Sequence, residues 1–390
     1  MEKPIKFGNT DYKPHPLTDH GLAASCQALE ELTRRAENKN QPPHTHILGS
    51  STIEESHAWL SRVLPHGTVQ AVENKFHLGN YVADRETGEK TFEAMSIYVR
   101  VGMHLLYYGS AQENVLHWKK TLALLKAQSE KMGAEYDSPG SKQHTVPFIQ
   151  SFKLEDGLSE LVKPDPNDYD TFNEFFAREI KEDARPIAEP DNELVTSSPA
   201  DCRLTAFPTV DLATKYWIKG YGFTLEKLLG SADLAAKFDG GSIVIARLAP
   251  QDYHRWHAPA SGTVTGVTDI PGAYYTVNPQ AINEPGTLDV FCENKRSVMT
   301  VERSPTGSPI AIVAVGAMLV GSIKYVNGVD KAGTKIRRGQ CLGAFYYGGS
   351  TVIVVYPPAE VVLDSDLVKN STEEKVETYM KVGWRTGIKQ

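Results

Sequence analysis

The amino-acid sequence predicts an α+β protein, with a helical N-terminal region followed by a mainly β domain of sandwich or barrel type. Three observations carry this reading. Apolar residues recur at three- and four-residue spacing early in the chain, β-branched runs bounded by Gly and Pro fill the second half, and a polar stretch rich in turn formers separates the two.

In the first region Leu22, Cys26, Leu29 and Leu32 fall on one helical face, as do Phe92, Met95, Val99 and Met103. A third helix is expected over 111–132, with Val115, Trp118, Leu122 and Leu125 as its stripe. Such stripes pack a core, and no chemistry is assigned to them. The stretch EYDSPGSKQH, Glu135 to His144, reads as a linker. It divides the chain into a helical accessory domain with its linker, 1–150, and a second domain, 151–390.

After a short helix around Asn173 to Ile180 the texture becomes β. SIVIA (Ser242 to Ala246), TVTGV (Thr263 to Val267), IAIVAV (Ile310 to Val315) and TVIVVY (Thr351 to Tyr356) are the expected strands. Two segments resemble each other, SPADCRLTA from Ser198 and APASGTVTG from Ala258, and each reads as a tight turn feeding a strand. Aligned, they set Asp201 against Ser261 and Cys202 against Gly262.

Composition narrows the function classes. A chain of 390 residues with 41% hydrophobic content can bury a real core. With 48 acidic against 41 basic residues and a net charge of −7, no surface for nucleic acid is expected. The first twenty residues lack the apolar centre of a signal peptide, so the mature chain is expected to start at or near Met1. The most apolar run, Ile97 to Tyr108, is interrupted by Arg100 and His104, so no membrane span is expected, while peripheral contact with a membrane stays open. Cys26, Cys202, Cys292 and Cys341 are far apart and form no CxxC pair, which points to a reducing, cytoplasmic setting.

Three places bear on chemistry. In Asp252-Tyr253-His254-Arg255-Trp256-His257-Ala258-Pro259 two histidines three apart would share one side of a helical turn. That suits a metal pair, two separate proton-transfer roles, or simple packing. A zinc site needs at least a third ligand, and none is adjacent, so no metal is expected. In Gly348-Gly349-Ser350-Thr351 two glycines precede a serine at the start of an apolar strand, a plain hairpin turn or a rigid mount for a nucleophile. In Ser198-Pro199-Ala200-Asp201 a carboxylate follows a proline-set turn, where Asp commonly bonds its own backbone. Together they supply Ser, His and Asp, without the GxSxG elbow of an α/β-hydrolase.

In order and setting these segments resemble phosphatidylserine decarboxylases. FFAREIKEDARPI (Phe175 to Ile187), KGYGFTLEKLL (Lys219 to Leu229), VGAMLVGSI (Val315 to Ile323) and KIRRGQCLGAF (Lys335 to Phe345) are similar to the same family, so the resemblance runs from about Thr171 to Pro358. The helical first third resembles the N-terminal domain of a soluble branch that includes fungal aromatic amino-acid decarboxylases.

The resemblance implies that the Ser350 hydroxyl attacks the carbonyl of Gly349, with His257 as base and Asp201 orienting it. Ester formation, elimination and hydrolysis would cut the chain between Gly349 and Ser350 and leave a pyruvoyl group, the cofactor, at residue 350. The fragments 1–349 and 350–390 would stay associated. The pyruvoyl carbonyl would form an imine with the substrate amine and take up the electrons left by CO₂, and His254 would return the proton. Two departures stand out: Gly348 where the family has Leu, and Cys202 where it has Gly after the Asp. The first loosens the cleavage loop, and the second puts a side chain beside Asp201.

The expected substrate is an amine-bearing carboxylate, phosphatidylserine by family default, with a free aromatic amino acid such as tryptophan as the rival. Tyr346 and Tyr347 suit either a head-group pocket or an indole. A homodimer is compatible with the sequence. The competing classes are a binding module in which Ser, His and Asp are structural, and a serine hydrolase that turns over esters without cutting itself.

Overall fold

The β-branched runs of the second half pair into one large sheet, seen in a computed structural model that describes residues 79–94, 133–216, 218, 223–273, 289–316, 322–346 and 350–389. Up to residue 260 the elements are β1 (Gly79–Asp84), β2 (Lys90–Ala94), α1 (Thr145–Phe152), α2 (Phe172–Phe176), β3 (Val195–Ser197), β4 (Cys202–Phe207), α3 (Val210–Tyr216), α4 (Leu225–Leu229), α5 (Ala232–Ala236), β5 (Ser242–Leu248) and β6 (Arg255–His257). Then come β7 (Gly262–Ile270), α6 (Val290–Glu293), β8 (Arg296–Arg303), β9 (Pro309–Gly316), β10 (Ser322–Tyr325), β11 (Lys335–Ile336), β12 (Cys341–Tyr346), β13 (Ser350–Tyr356), β14 (Val362–Leu363), α7 (Ser365–Lys369), β15 (Glu377–Met380) and β16 (Arg385–Ile388).

The large sheet runs β11-β7-β8-β9-β13-β5-β4-β15-β1-β2, and two three-stranded sheets, β10-β12-β6 and β14-β16-β3, accompany it. β13 lies at the centre, antiparallel to β5 on one side and β9 on the other. Its near-continuous apolar sequence follows from that place, because both faces are covered. Val352, Val354 and Tyr356 join a core with Leu204, Trp256, Leu342 and Phe345, on the side of the β10-β12-β6 sheet. Ile353 and Val355 face the other way, into a core with Phe207, Ile243, Val313, Leu228 of α4 and Phe291 of α6. Each such side chain stabilises the fold by about 1.5–3 kcal/mol.

All four expected strand runs lie within β5, β7, β9 and β13, and the two similar turns at Ser198 and Ala258 feed β4 and β7 of the large sheet. The helix expected near Asn173 is the shorter α2, capped by Thr171, whose Oγ accepts from the Glu174 N–H at 3.1 Å.

Two expectations are corrected. Phe92, assigned to a helical stripe, lies on β2, because Gly79–Ala94 is a β-hairpin that joins the large sheet through a parallel pairing of β1 with β15. The helical residues expected around it, at 22–32, 95–103 and 111–132, lie outside the described residues. The stretch read as a linker is folded: Tyr136 and Ser141 are buried, and the Ser141 hydroxyl accepts from the Phe172 N–H at 2.9 Å. It anchors an aromatic cluster of Tyr136, Phe148, Tyr169, Phe172, Phe175 and Phe176. Turn-forming residues fixed its backbone, and the aromatic rings beside them supplied the reason to pack.

Candidate active site

Ser350 is the first residue of β13, in register with Leu248 of β5 and Gly316 of β9. By strand alternation its side chain shares the face of Val352 and Val354, toward the β10-β12-β6 sheet. The residue is fully buried, and its hydroxyl has no hydrogen-bond partner among the described residues. Gly348 and Gly349 lie outside them.

The segment with the two histidines is extended where it enters β6, which corrects the expected helical turn. Residues three apart on an extended chain point to different sides, so the two imidazoles occupy separate environments. β6 is held against β12, with Cys341 opposite His257 and Ala344 opposite Arg255. Trp256 lies between the histidines and packs on Gly343 of β12, where a Cβ would collide with the indole.

His254 is fully buried, its ring packed against Phe176 with centroids 3.9 Å apart and planes tilted by 36°. Its Nδ1 lies 2.9 Å from the Asp252 carbonyl, which can only accept, so Nδ1 carries the proton. His257 repeats this arrangement with other partners: Nδ1 donates to the Gly339 carbonyl at 2.8 Å, and Nε2 accepts from the Tyr253 hydroxyl at 3.1 Å. Burial holds the His257 imidazole below its ordinary pKa of 6.5, with the Gly339 carbonyl and the Asp201 charge pulling it back up. Burial also pushes the Tyr253 phenol well up, so it stays a neutral donor.

The turn that carries Asp201 lies beside β6, since the His257 N–H donates to the Pro199 carbonyl at 2.7 Å. Asp201, however, does not bond His257. Its carboxylate takes Arg185 Nη2 at 2.7 Å and Nε at 3.0 Å, and the Val382 N–H at 2.8 Å. Asp201 therefore acts on His257 through its charge, and the Gly339 carbonyl orients the ring. The Cys202 side chain turns into the core with its sulfur 3.7 Å from the Ser198 hydroxyl, leaving the Asp201 contacts intact.

Three partners carried no role in the sequence reading. Arg185 stands in the ARPI run and Tyr253 directly before His254, so both lay in segments already singled out. The Gly339 carbonyl, 82 residues from His257, left no side-chain signal. Gly339 itself has φ +82, and a Cβ there would collide with Ile187, so glycine is required at that acceptor. The groups present are a buried hydroxyl, an imidazole with its protonated nitrogen defined, a second imidazole in an aromatic setting, and a carboxylate fixed by an arginine; among the described residues no hydrogen bond joins Ser350 to either imidazole. That set can remove a proton from a hydroxyl and can move another at a separate place.

A family model described as phosphatidylserine decarboxylase matches residues 172–383. Phosphatidylserine decarboxylase proenzyme 3 of Schizosaccharomyces pombe is 45% identical over 308 residues, 79% of this chain and 31% of that protein. Phosphatidylserine decarboxylase proenzyme 2 of Saccharomyces cerevisiae is 39% identical over 343 residues, 86% of this chain and 28% of that protein. The chain thus spans about a third of the length of these fungal relatives. The match to the phosphatidylserine decarboxylase proenzyme of Fusobacterium nucleatum, 35% identical over 305 residues, covers 78% of this chain and 96% of the bacterial protein. On these grounds the chain belongs to the phosphatidylserine decarboxylase family.

Proposed function

We propose that this chain is a self-processing decarboxylase that converts Ser350 into its own electrophile and acts on phosphatidylserine. The observation that carries the reading is the Ser350 hydroxyl, fully buried without a partner among the described residues at the first position of the central strand. Such a group costs about 1–3 kcal/mol, and a nucleophile aimed at the preceding carbonyl accounts for it. The relatives' names support the lipid as substrate, and the family match at 172–383 falls inside the region 151–390 taken as the catalytic domain.

In processing, Ser350 Oγ adds to the Gly349 carbonyl carbon as the peptide C–N bond breaks, giving an ester. Loss of the Ser350 α-proton then expels the Gly349 carboxylate from Cβ, and water hydrolyses the resulting dehydroalanine with release of ammonia. His257 serves as base through Nε2, since its Nδ1–H is committed to Gly339 and burial favours the neutral ring; the Tyr253 hydroxyl that donates to Nε2 gives way to the proton from Ser350. Asp201, fixed by Arg185, favours the imidazolium as the proton arrives. The pyruvoyl group fits a buried position walled by β5 and β9, and it supplies the electron sink for the pair left by departing CO₂. His254, on its Phe176 shelf, returns a proton to the substrate carbon. The fragments 1–349 and 350–390 remain together. Among the described residues no helix is long and apolar enough to cross a membrane.

Intact-mass analysis of the purified chain tests this first, with two fragments expected, the shorter one blocked at its N-terminus and reactive with carbonyl reagents. CO₂ release should then be faster from phosphatidylserine vesicles than from tryptophan at matched concentration. A single uncut chain with full activity would sink the processing, and turnover of tryptophan alone would sink the substrate.

A further inference from the structure

Arginines beside the site meet carboxylates: Arg185 meets Asp201, Arg203 meets Asp252, and Arg247 meets Glu377. Arg178 meets none among the described residues, although it is only 7% exposed. Its Nη2 donates to the carbonyls of Gln251 and Asp252, each at 3.0 Å, and its Nη1 is buried with no hydrogen-bond partner among the described residues. The guanidinium lies over the Phe175 ring, 5.2 Å from its centroid. Burying a guanidinium that makes no ion pair is costly, and its two carbonyl contacts offset that cost only in part.

The Asp252 oxygen that Arg178 holds is the one that takes Nδ1–H of His254 at 2.9 Å. A carbonyl oxygen has two lone pairs, and these two donors use both. The segment Phe175-Phe176-Ala177-Arg178 therefore supplies the ring under the His254 imidazole and the cation on the peptide that fixes its tautomer. The Asp252 carboxylate accepts from Arg203 and from the Ala249 N–H at 2.7 Å, and it forms no ion pair with Arg178.

We propose that Arg178 is a positioning residue for decarboxylation: by clamping the Gln251 and Asp252 carbonyls it keeps His254 in one orientation, with Nδ1 protonated and Nε2 as the nitrogen that exchanges the proton. This rests on His254 as the proton donor. Chain cleavage, which uses His257, does not depend on the clamp. Without Arg178 the Asp252 carbonyl can rotate away and the ring loses its fixed acceptor.

The test uses full-length Arg178→Met and Arg178→Lys beside the parent and His254→Ala. Both Arg178 variants should be cut as judged by intact mass, and both should be folded at the assay temperature as judged by thermal melting. The kcat of Arg178→Met on phosphatidylserine in mixed micelles should fall by about 10- to 100-fold, short of the 10²–10⁴ that loss of the acid itself removes. KM should stay within about twofold, because the substrate is not what the clamp holds. Arg178→Lys, which can reach one carbonyl, should recover part of kcat. The downfield imidazole N–H proton resonance that disappears in His254→Ala should also disappear in Arg178→Met. An unchanged kcat with that resonance retained overturns the proposal, as does a raised KM at constant kcat. If Arg178→Met does not fold, the same criteria apply to Arg178→Lys. Full turnover by His254→Ala would instead sink the role of His254, which separates the two failures.

Discussion

The two faces of the central sheet share every strand and differ in what covers them. One face packs on a second sheet and on turns: Ser350 heads its central strand, and the buried His254 and His257 flank Trp256 of the second sheet. The other packs on α3 to α6, and its centre is aliphatic, from Ile243 and Ile245 to Ile353 and Val355. The covering element explains the difference. A helix uses its own carbonyls internally, whereas turns and strand ends leave carbonyls facing inward. The Asp252 and Gly339 carbonyls are of that second kind, and each fixes one imidazole. The two imidazoles sit where turns and strand ends offer them oriented acceptors, whereas on the helical face carbonyls of α4 and α6 hold an arginine, Arg296.

The sharpest way to break this contrast is at the polar face. Ser350→Ala and His257→Ala should each leave only uncut chain in intact-mass spectra, whereas His254→Ala should be cut normally yet release CO₂ about 10²–10⁴ times more slowly. Equal processing by the two histidine variants would erase the division between their environments. A smaller effect is expected on the helical face, where Ile353→Ala opens a cavity and should cost about 2–5 kcal/mol in urea unfolding. At temperatures where that variant is folded, its processing and kcat should match the parent, and a loss of either would show that the faces are not independent.

The smallest effect is that of pH. Burial keeps His257 below its ordinary 6.5, so on acidification the unfolded chain takes up this proton before the folded one. Stability from this group is therefore complete above 6.5 and lost as pH falls through the lowered value. The rate of chain cleavage should likewise be flat above pH 6.5 and decline only below it, measured as uncut fraction against time. A decline that began above 6.5 would mean that the base is not this buried imidazole.

Much of the fold was legible because β-branched runs such as TVIVVY have little alternative to a buried strand. The hairpin Gly79–Ala94 was not, since Phe92 shares helical spacing with Met95, Val99 and Met103, and only the pairing of β1 with β2 and β15 decides for a strand. The site divides in the same way. Asp201, His254, His257 and Ser350 were readable as side chains in ordered motifs. Their connections were not, because HxxH spacing does not reveal an extended backbone and the acceptors are main-chain oxygens. The Asp201 partner was hidden for another reason: two carboxylate-to-cation contacts compete in any reading of a triad, and only geometry shows that Arg185 holds the carboxylate.

The location of Ser350 at the head of the central strand has a further consequence for the cut protein. Residues 350–389 contribute β13 to the middle of the large sheet, β15 beside β4, and β14 and β16 to a separate sheet. Arg85 on the hairpin adds ion pairs to Asp364 and Asp366 in the same stretch, at 2.8 and 2.7 Å. Once severed, this stretch is a second molecule threaded through the first, and unfolding becomes a dissociation governed by mass action. If the chain is cut as proposed, the melting temperature of the cut protein should rise with protein concentration while that of the uncut chain does not, and refolding should become a bimolecular search. On that proposal, the uncut chain is the form that assembles its centre at a rate independent of dilution.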